Sequence, residues 1–192
     1  MSYRSLSLCF AAAFLAAGTI AFSQAASTQK APPQPKKAAA ADDATLIKSA
    51  MAAAPLEIAK DATIVNGEMK VIRQGSNNWT CMPDLPTSPG TDPMCLDKNG
   101  MEWAHAWMTK ATPPAGKMGI GYMLMGGSDA SNDDPYATKP AAGKKWVDTG
   151  AHVMVLNPGP MADSYPKTAD DPKKPYVMWP GTPYQHLMIP VK

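Results

Sequence analysis

Between residues 44 and 53 the apolar positions Leu46, Ile47, Ala50 and Met51 recur at helical spacing. Asp42 and Asp43 precede them, and carboxylates suit the positive end of a helix. Pro55 either ends that helix or opens a short second one through Ile58 and Ala59. From Ala62 the period changes from 3.6 to 2. Thr63-Ile64-Val65 and Met69-Lys70-Val71-Ile72 flank Asn66-Gly67, which predicts two strands joined by a tight turn. Residues 78–82 predict another short strand.

Residues 97–109 predict the second main helix. Met101, Ala104, His105 and Met108 share one face, and Trp103 and Trp107 lie four apart on another. Two tryptophans at that spacing are expected to pack against a sheet, and Pro113-Pro114 ends the segment. Residues 117–125 predict a strand in which Gly119 and Gly121 allow close backbone approach. Residues 146–156 and 184–191 predict further strands. Residues 177–179 predict a shorter one, broken by Pro180-Gly181. Residues 128–145 read as a long polar loop, and the many prolines elsewhere imply ordered loops. The expected fold class is α+β: a single domain over 42–192, a mainly antiparallel sheet with two helices, long Pro/Gly-rich loops and one disulfide. About 150 residues suffice for an independent core.

The N-terminal region reads differently. Arg4 precedes an apolar run over 6–22, and Ser23-Gln24-Ala25 offers small residues where a signal peptidase cuts. Residues 1–25 are expected to be a signal peptide, with cleavage after Ala25 or Ala26. Residues 26–41, rich in Ala, Pro and Lys, read as a linker that cannot bury a core. The expected location is periplasmic or secreted. No later segment is long and apolar enough to span a bilayer, so no membrane span is expected after cleavage.

Cleavage would remove Cys9 and leave Cys81 and Cys95. An even cysteine count in an oxidising compartment argues for a disulfide between them. It would close a turn-rich loop and stabilise the fold by roughly 3 kcal/mol in the chain-entropy model. From Asp42 onward 13 Lys and one Arg face 16 acids, a net charge of −2. A domain that grips phosphates would carry an arginine-bearing basic patch, so nucleic acid is not an expected partner.

Four stretches are familiar in combination: Asn78-Trp79-Thr80-Cys81-Met82-Pro83-Asp84, Asp92-Pro93-Met94-Cys95-Leu96-Asp97, residues 126–140 and residues 177–190. Together they resemble an uncharacterised group of exported bacterial proteins, over roughly residues 56–192. The resemblance implies export and the domain boundary, and implies no catalytic residues.

The sharpest chemical pattern is a doubled His-x-Met, His152-Val153-Met154 and His186-Leu187-Met188. Residues two apart in a strand share a face. If the two strands are neighbours in register, two imidazoles and two thioethers converge, a donor set that suits Cu(I). Met123 and Met125 would extend such a face. With fourteen methionines in the chain, adaptable core packing is the plainer account of the same residues.

Glu102 and His105, three apart on a helix, have the spacing of one half of a di-iron site, but no second such helix is present. Gly126-Gly127-Ser128-Asp129-Ala130 follows a strand as a nucleophile elbow would, yet lacks the last glycine and the following helix. Asp129, Asn132, Asp133 and Asp134 form an oxygen-rich loop without EF-hand spacing, which turn formation explains. Trp179 and Tyr184 are candidate pocket residues among C-terminal aromatics and prolines.

No nucleophile–base–orienter set, phosphate loop or complete metal-ligand signature appears. The expectation is therefore a non-catalytic exported binding protein for a small ligand, a metal or an envelope partner, with no cofactor assigned. The alternative is a periplasmic copper-binding or copper-dependent redox protein using His152, Met154, His186 and Met188. A serine hydrolase using Ser128 stands third.

Overall fold

The structure is a computed structural model that describes residues 42–191. The expected signal peptide, 1–25, and linker, 26–41, lie outside the described residues. The described residues fall within one compact unit, Ala39–Lys192.

Helix α1, Asp43–Met51, starts where the acids predicted: the Asp42 carboxylate accepts from Thr45 N at 2.8 Å. Pro55 opens the one-turn helix α2, Leu56–Ala59. Strands β1, Thr63–Val65, and β2, Val71–Arg73, pair antiparallel, but not through a two-residue Asn-Gly turn. Five residues separate them. The Asn66 side-chain oxygen accepts from Glu68 N and Lys70 N, both at 3.0 Å, and the left-handed position falls on Met69, φ 61°. Asn66 shapes the turn through its side chain as well as its backbone, whose N–H donates to Lys70 O at 2.9 Å.

Strand β3, Trp79–Met82, pairs antiparallel with β4, Met94–Asp97, so that Cys81 stands directly opposite Cys95 and the two form the expected disulfide. Strand β4 runs without a loop into α3, Lys98–Met108, because Asp97 serves both elements: its carboxylate accepts from Gly100 N at 2.7 Å. The helix ends in a Schellman pattern. Lys110 N donates to Trp107 O at 3.1 Å and Ala111 N to Ala106 O at 2.8 Å. Lys110 takes the left-handed position usual for glycine, φ 58°, and its ammonium lies 4.8 Å from the Tyr136 ring centre.

The remaining strands are β5 (Gly119–Met123), β6 (Gly127–Asp129), β7 (Val147–Thr149), β8 (His152–Leu156), β9 (Tyr176–Met178) and β10 (His186–Pro190). Eight strands form one sheet in the order β2-β1-β3-β4-β5-β8-β10-β9, antiparallel except for the β1–β3 pair. Strands β6 and β7 form a separate two-stranded sheet. The strand expected over 146–156 is thus two strands in two sheets, broken at Gly150-Ala151. The expected α+β architecture holds, and no helix of the described residues is long and apolar enough to cross a membrane.

The sheet carries a core on each face. Ile64, Cys81 and Cys95 pack under Ala50, Ala53 and Ala59 of the α1–α2 segment. Small residues there let the helical segment lie close. On the other face Leu96, Met154, Leu156 and Met188 pack with Trp103 and Ala104 of α3. Leu96 and Leu156 are fully buried, each contributing about 1.5–3 kcal/mol. The α3 N-terminus rests directly on β5. A Cβ on Gly121 would meet Leu96 and Met154 side chains at 2.7 Å, which bears out the close approach expected of these glycines.

Candidate functional site

Strands β8 and β10 are neighbours, antiparallel, with Met154 directly opposite Met188. The same register sets His152 against Pro190 and His186 against Leu156. All four residues of the doubled motif therefore share one face, and the two thioethers meet. The histidines do not. They stand at opposite ends of the ladder, four residues of strand apart, or about 13 Å at the ordinary rise. Each sits in different surroundings.

His186 is 3% exposed and enclosed by aromatic rings. The indoles of Trp103 and Trp179 meet it edge-to-face, with centroids 5.2 and 5.0 Å away. Its Nδ1 donates to Tyr184 O at 3.0 Å. Burial in this apolar box pushes its pKa down to about 4, so the ring is neutral at physiological pH. Trp179 and Tyr184 are themselves buried in this cluster and line neither of the two cavities described below. Trp179 has φ 53°, a strained conformation for a bulky side chain. It is held by Trp179 N to Asn132 O at 2.7 Å and by its indole Nε1 to Ser131 O at 3.1 Å.

His152 lies at the other end, wholly buried. The strand break at Gly150-Ala151 turns the Gly150 carbonyl toward it, and Nδ1 lies 2.7 Å from that oxygen. A carbonyl only accepts, so Nδ1 carries the proton and Nε2 carries a lone pair. Nε2 has no hydrogen-bond partner among the described residues. Burial lowers the pKa of His152 and keeps it neutral. Its cross-strand neighbour on β5 is Met123, which joins this face as the sequence suggested. Exposed Met125 lies beyond β5.

The β6–β7 sheet covers this end. Thr149 and Tyr176 share a buried hydrogen bond of 2.5 Å between their hydroxyls. The Asp92 carboxylate accepts from Ser128 N at 2.7 Å and from the Ser88 hydroxyl. Burial, together with the neighbouring Asp92 charge, raises the Asp129 pKa to about 7. No hydrogen bond joins Ser128 to a histidine among the described residues. Ser131 organises the following loop: its Oγ accepts from Asp133 N and Asp134 N at 3.1 and 3.0 Å.

A groove of about 640 Å³ opens on the α3 side of the sheet. Thr63 of β1 and the segment 77–80 line one side, α3 another, and the segment 111–114 closes it. Glu102 and His105 both line it, as does apolar Met101. Glu102 is tied by Lys117 Nζ at 2.6 Å, and that hydrogen bond holds its carboxyl below the usual range. The groove escaped the sequence reading because its walls come from four separate segments. A second cavity, of about 320 Å³, has Lys144, Lys145, Asp133 and Asp170 on its walls beside Ala130, Val147 and Ala169.

Comparison with known protein families, curated proteins and solved structures finds no match to this chain.

Proposed function

We propose that this protein is an exported, non-catalytic binding protein of the cell envelope, and that the groove beside α3 takes its ligand. The groove carries the reading. Its volume lies in the range of small-molecule sites, and apolar wall residues such as Met101, Ala106 and Pro114 alternate with a few polar groups, Asn78, Thr80, Glu102 and His105. Such a lining favours a compact amphipathic molecule with a hydrogen-bonding end directed at Glu102 and His105. The signal-like N-terminal segment and the disulfide support export.

The test is two-dimensional NMR of the domain with a panel of small amphipathic metabolites. The expected result is saturable shifts at Thr63, Thr80, His105 and Thr112, lost when Thr109→Trp and Thr112→Trp fill the groove. A panel in which no compound moves those resonances would remove the groove from consideration.

A further inference from the structure

The register separates the two histidines but builds a different set of donors around one of them. On one face of the large sheet Met123, His152 and Pro190 form a row across β5, β8 and β10, and Met154 and Met188 form the next. Directly opposed residues have Cβ atoms about 4.5–5.5 Å apart and diagonal neighbours about 7–8 Å. A methionine side chain spans such distances with three rotatable bonds. His186, two rows away, is outside this reach.

The space at this position is also bounded in an unusual way. Gly127 of β6 lies over the row, and a Cβ there would meet Met123 Cε at 3.0 Å, His152 Cε1 at 3.1 Å and Met123 Sδ at 3.6 Å. The thioether and the imidazole thus converge beneath a residue without a side chain. The imidazole presents its unprotonated Nε2, fixed by the Nδ1 bond to Gly150 O. A buried acceptor left without a partner is destabilising, and a bound cation would offset that loss. An outer hydrogen bond on the far nitrogen is also what orients a metal-binding histidine.

The donor chemistry narrows the cation. Among the described residues no three or more of His, Cys, Asp and Glu are grouped to hold a metal, so zinc and the hard cations lack their ligands here. One imidazole with thioethers is a soft, low-charge set, which favours Cu(I).

We propose that His152 Nε2, with the Met123 and Met154 sulfurs, forms a buried Cu(I) site between β5 and β8, with Met188 beside it and His186 excluded. Binding is simple coordination of Cu(I) as Cu(I), with no electron transferred and no proton released from the neutral imidazole. The site is independent of the α3 groove, so either reading stands or falls alone.

The experiment titrates full-length mature protein, under anaerobic conditions, against the coloured Cu(I)–bicinchoninate complex. The wild type is expected to withdraw one equivalent of Cu(I). His152→Ala should weaken binding by at least about 100-fold, beyond the loss of a supporting contact. If that variant does not fold, the Met123→Leu, Met154→Leu double variant takes its place, since Leu conserves volume while removing sulfur. It should weaken binding at least about tenfold, and His186→Gln should leave it unchanged. The proposal is overturned if the wild type withdraws no Cu(I), if the double methionine variant binds as the wild type does, or if His186→Gln weakens binding as much as His152→Ala.

Discussion

Gly119 of β5 lies against the first turn of α3 so closely that a Cβ on it would fall 2.6 Å from Gly100 Cα. Neither partner can give way, because both are backbone. Gly119→Ala is expected to cost about 1–3 kcal/mol as overpacking, read as a lower urea midpoint with unchanged slope. Gly150→Ala is the control: nothing lies within 4 Å of its Cβ position, and its effect should stay within about 0.5 kcal/mol.

The disulfide joins residues 14 apart in sequence that face each other across β3 and β4. Replacing both Cys81 and Cys95 with Ala should lower stability by roughly 3 kcal/mol in the chain-entropy model. Equilibrium urea unfolding of the oxidised wild type and the double variant measures it.

Arg73, the domain's single arginine, serves the fold. One guanidinium nitrogen donates to Ala59 O at 2.6 Å and Ala62 O at 2.9 Å, and another lies 3.0 Å from the Met51 sulfur. It thereby ties the end of α2 and the turn after it to β2. Arg73→Ala should destabilise by about 1–3 kcal/mol, and Arg73→Lys should recover only part of that, because an ammonium lacks the planar fork. Thermal unfolding of the two variants separates the loss of charge from the loss of geometry.

His186 links stability to acidity. Its folded pKa of about 4 lies below the ordinary histidine value near 6.5. Between those values the unfolded chain binds the extra proton, so stability falls as pH drops from about 6.5 toward 4, by roughly 3 kcal/mol for an isolated group. Asp129 acts oppositely. Its folded pKa of about 7 is raised, so the folded state holds the proton and stability falls as pH rises from about 4 to 7. Asp129 is only half-buried, and solvent screening reduces its share. The urea midpoint at pH 7 minus that at pH 4.5, taken with its sign, should be more positive in the wild type than in His186→Gln, because the opposing Asp129 share is common to both. Equal differences in both would place the acid sensitivity elsewhere.

Much of this architecture was legible in the residue pattern. The two-residue period put His152 with Met154 and His186 with Met188 on shared faces. Helical spacing put Trp103 on the buried side of α3. The turn at Asn66 was misread because an Asn side chain can do locally what Gly67 would have done by conformation. Strand β4 is too short to show a period, because its four residues run from Met94, just after Pro93, to the helix cap Asp97 itself. The break at Gly150-Ala151 was hidden because apolar residues flank it on both sides, Trp146-Val147 before it and Val153 to Leu156 after it. Most consequential, the register of β8 against β10 is fixed by contacts between residues thirty or more positions apart, and no local pattern encodes it. That register decides that the methionines meet and the histidines do not.

Strand order has a kinetic meaning. β10 lies between β8 and β9, although it follows both along the chain. Among the described residues β9 has no other strand partner, so it cannot join the sheet before residues 186–190 are present. A polypeptide emerging N-terminus first from a ribosome or a translocation channel can close the disulfide loop and seat α3 on β4 and β5 early. Its far half must wait, with Val177, Met178 and Leu187 uncovered and prone to association while it does. Completion of this fold is an event of the β10 segment, and the interval before its arrival is when a chaperone would have most to hold.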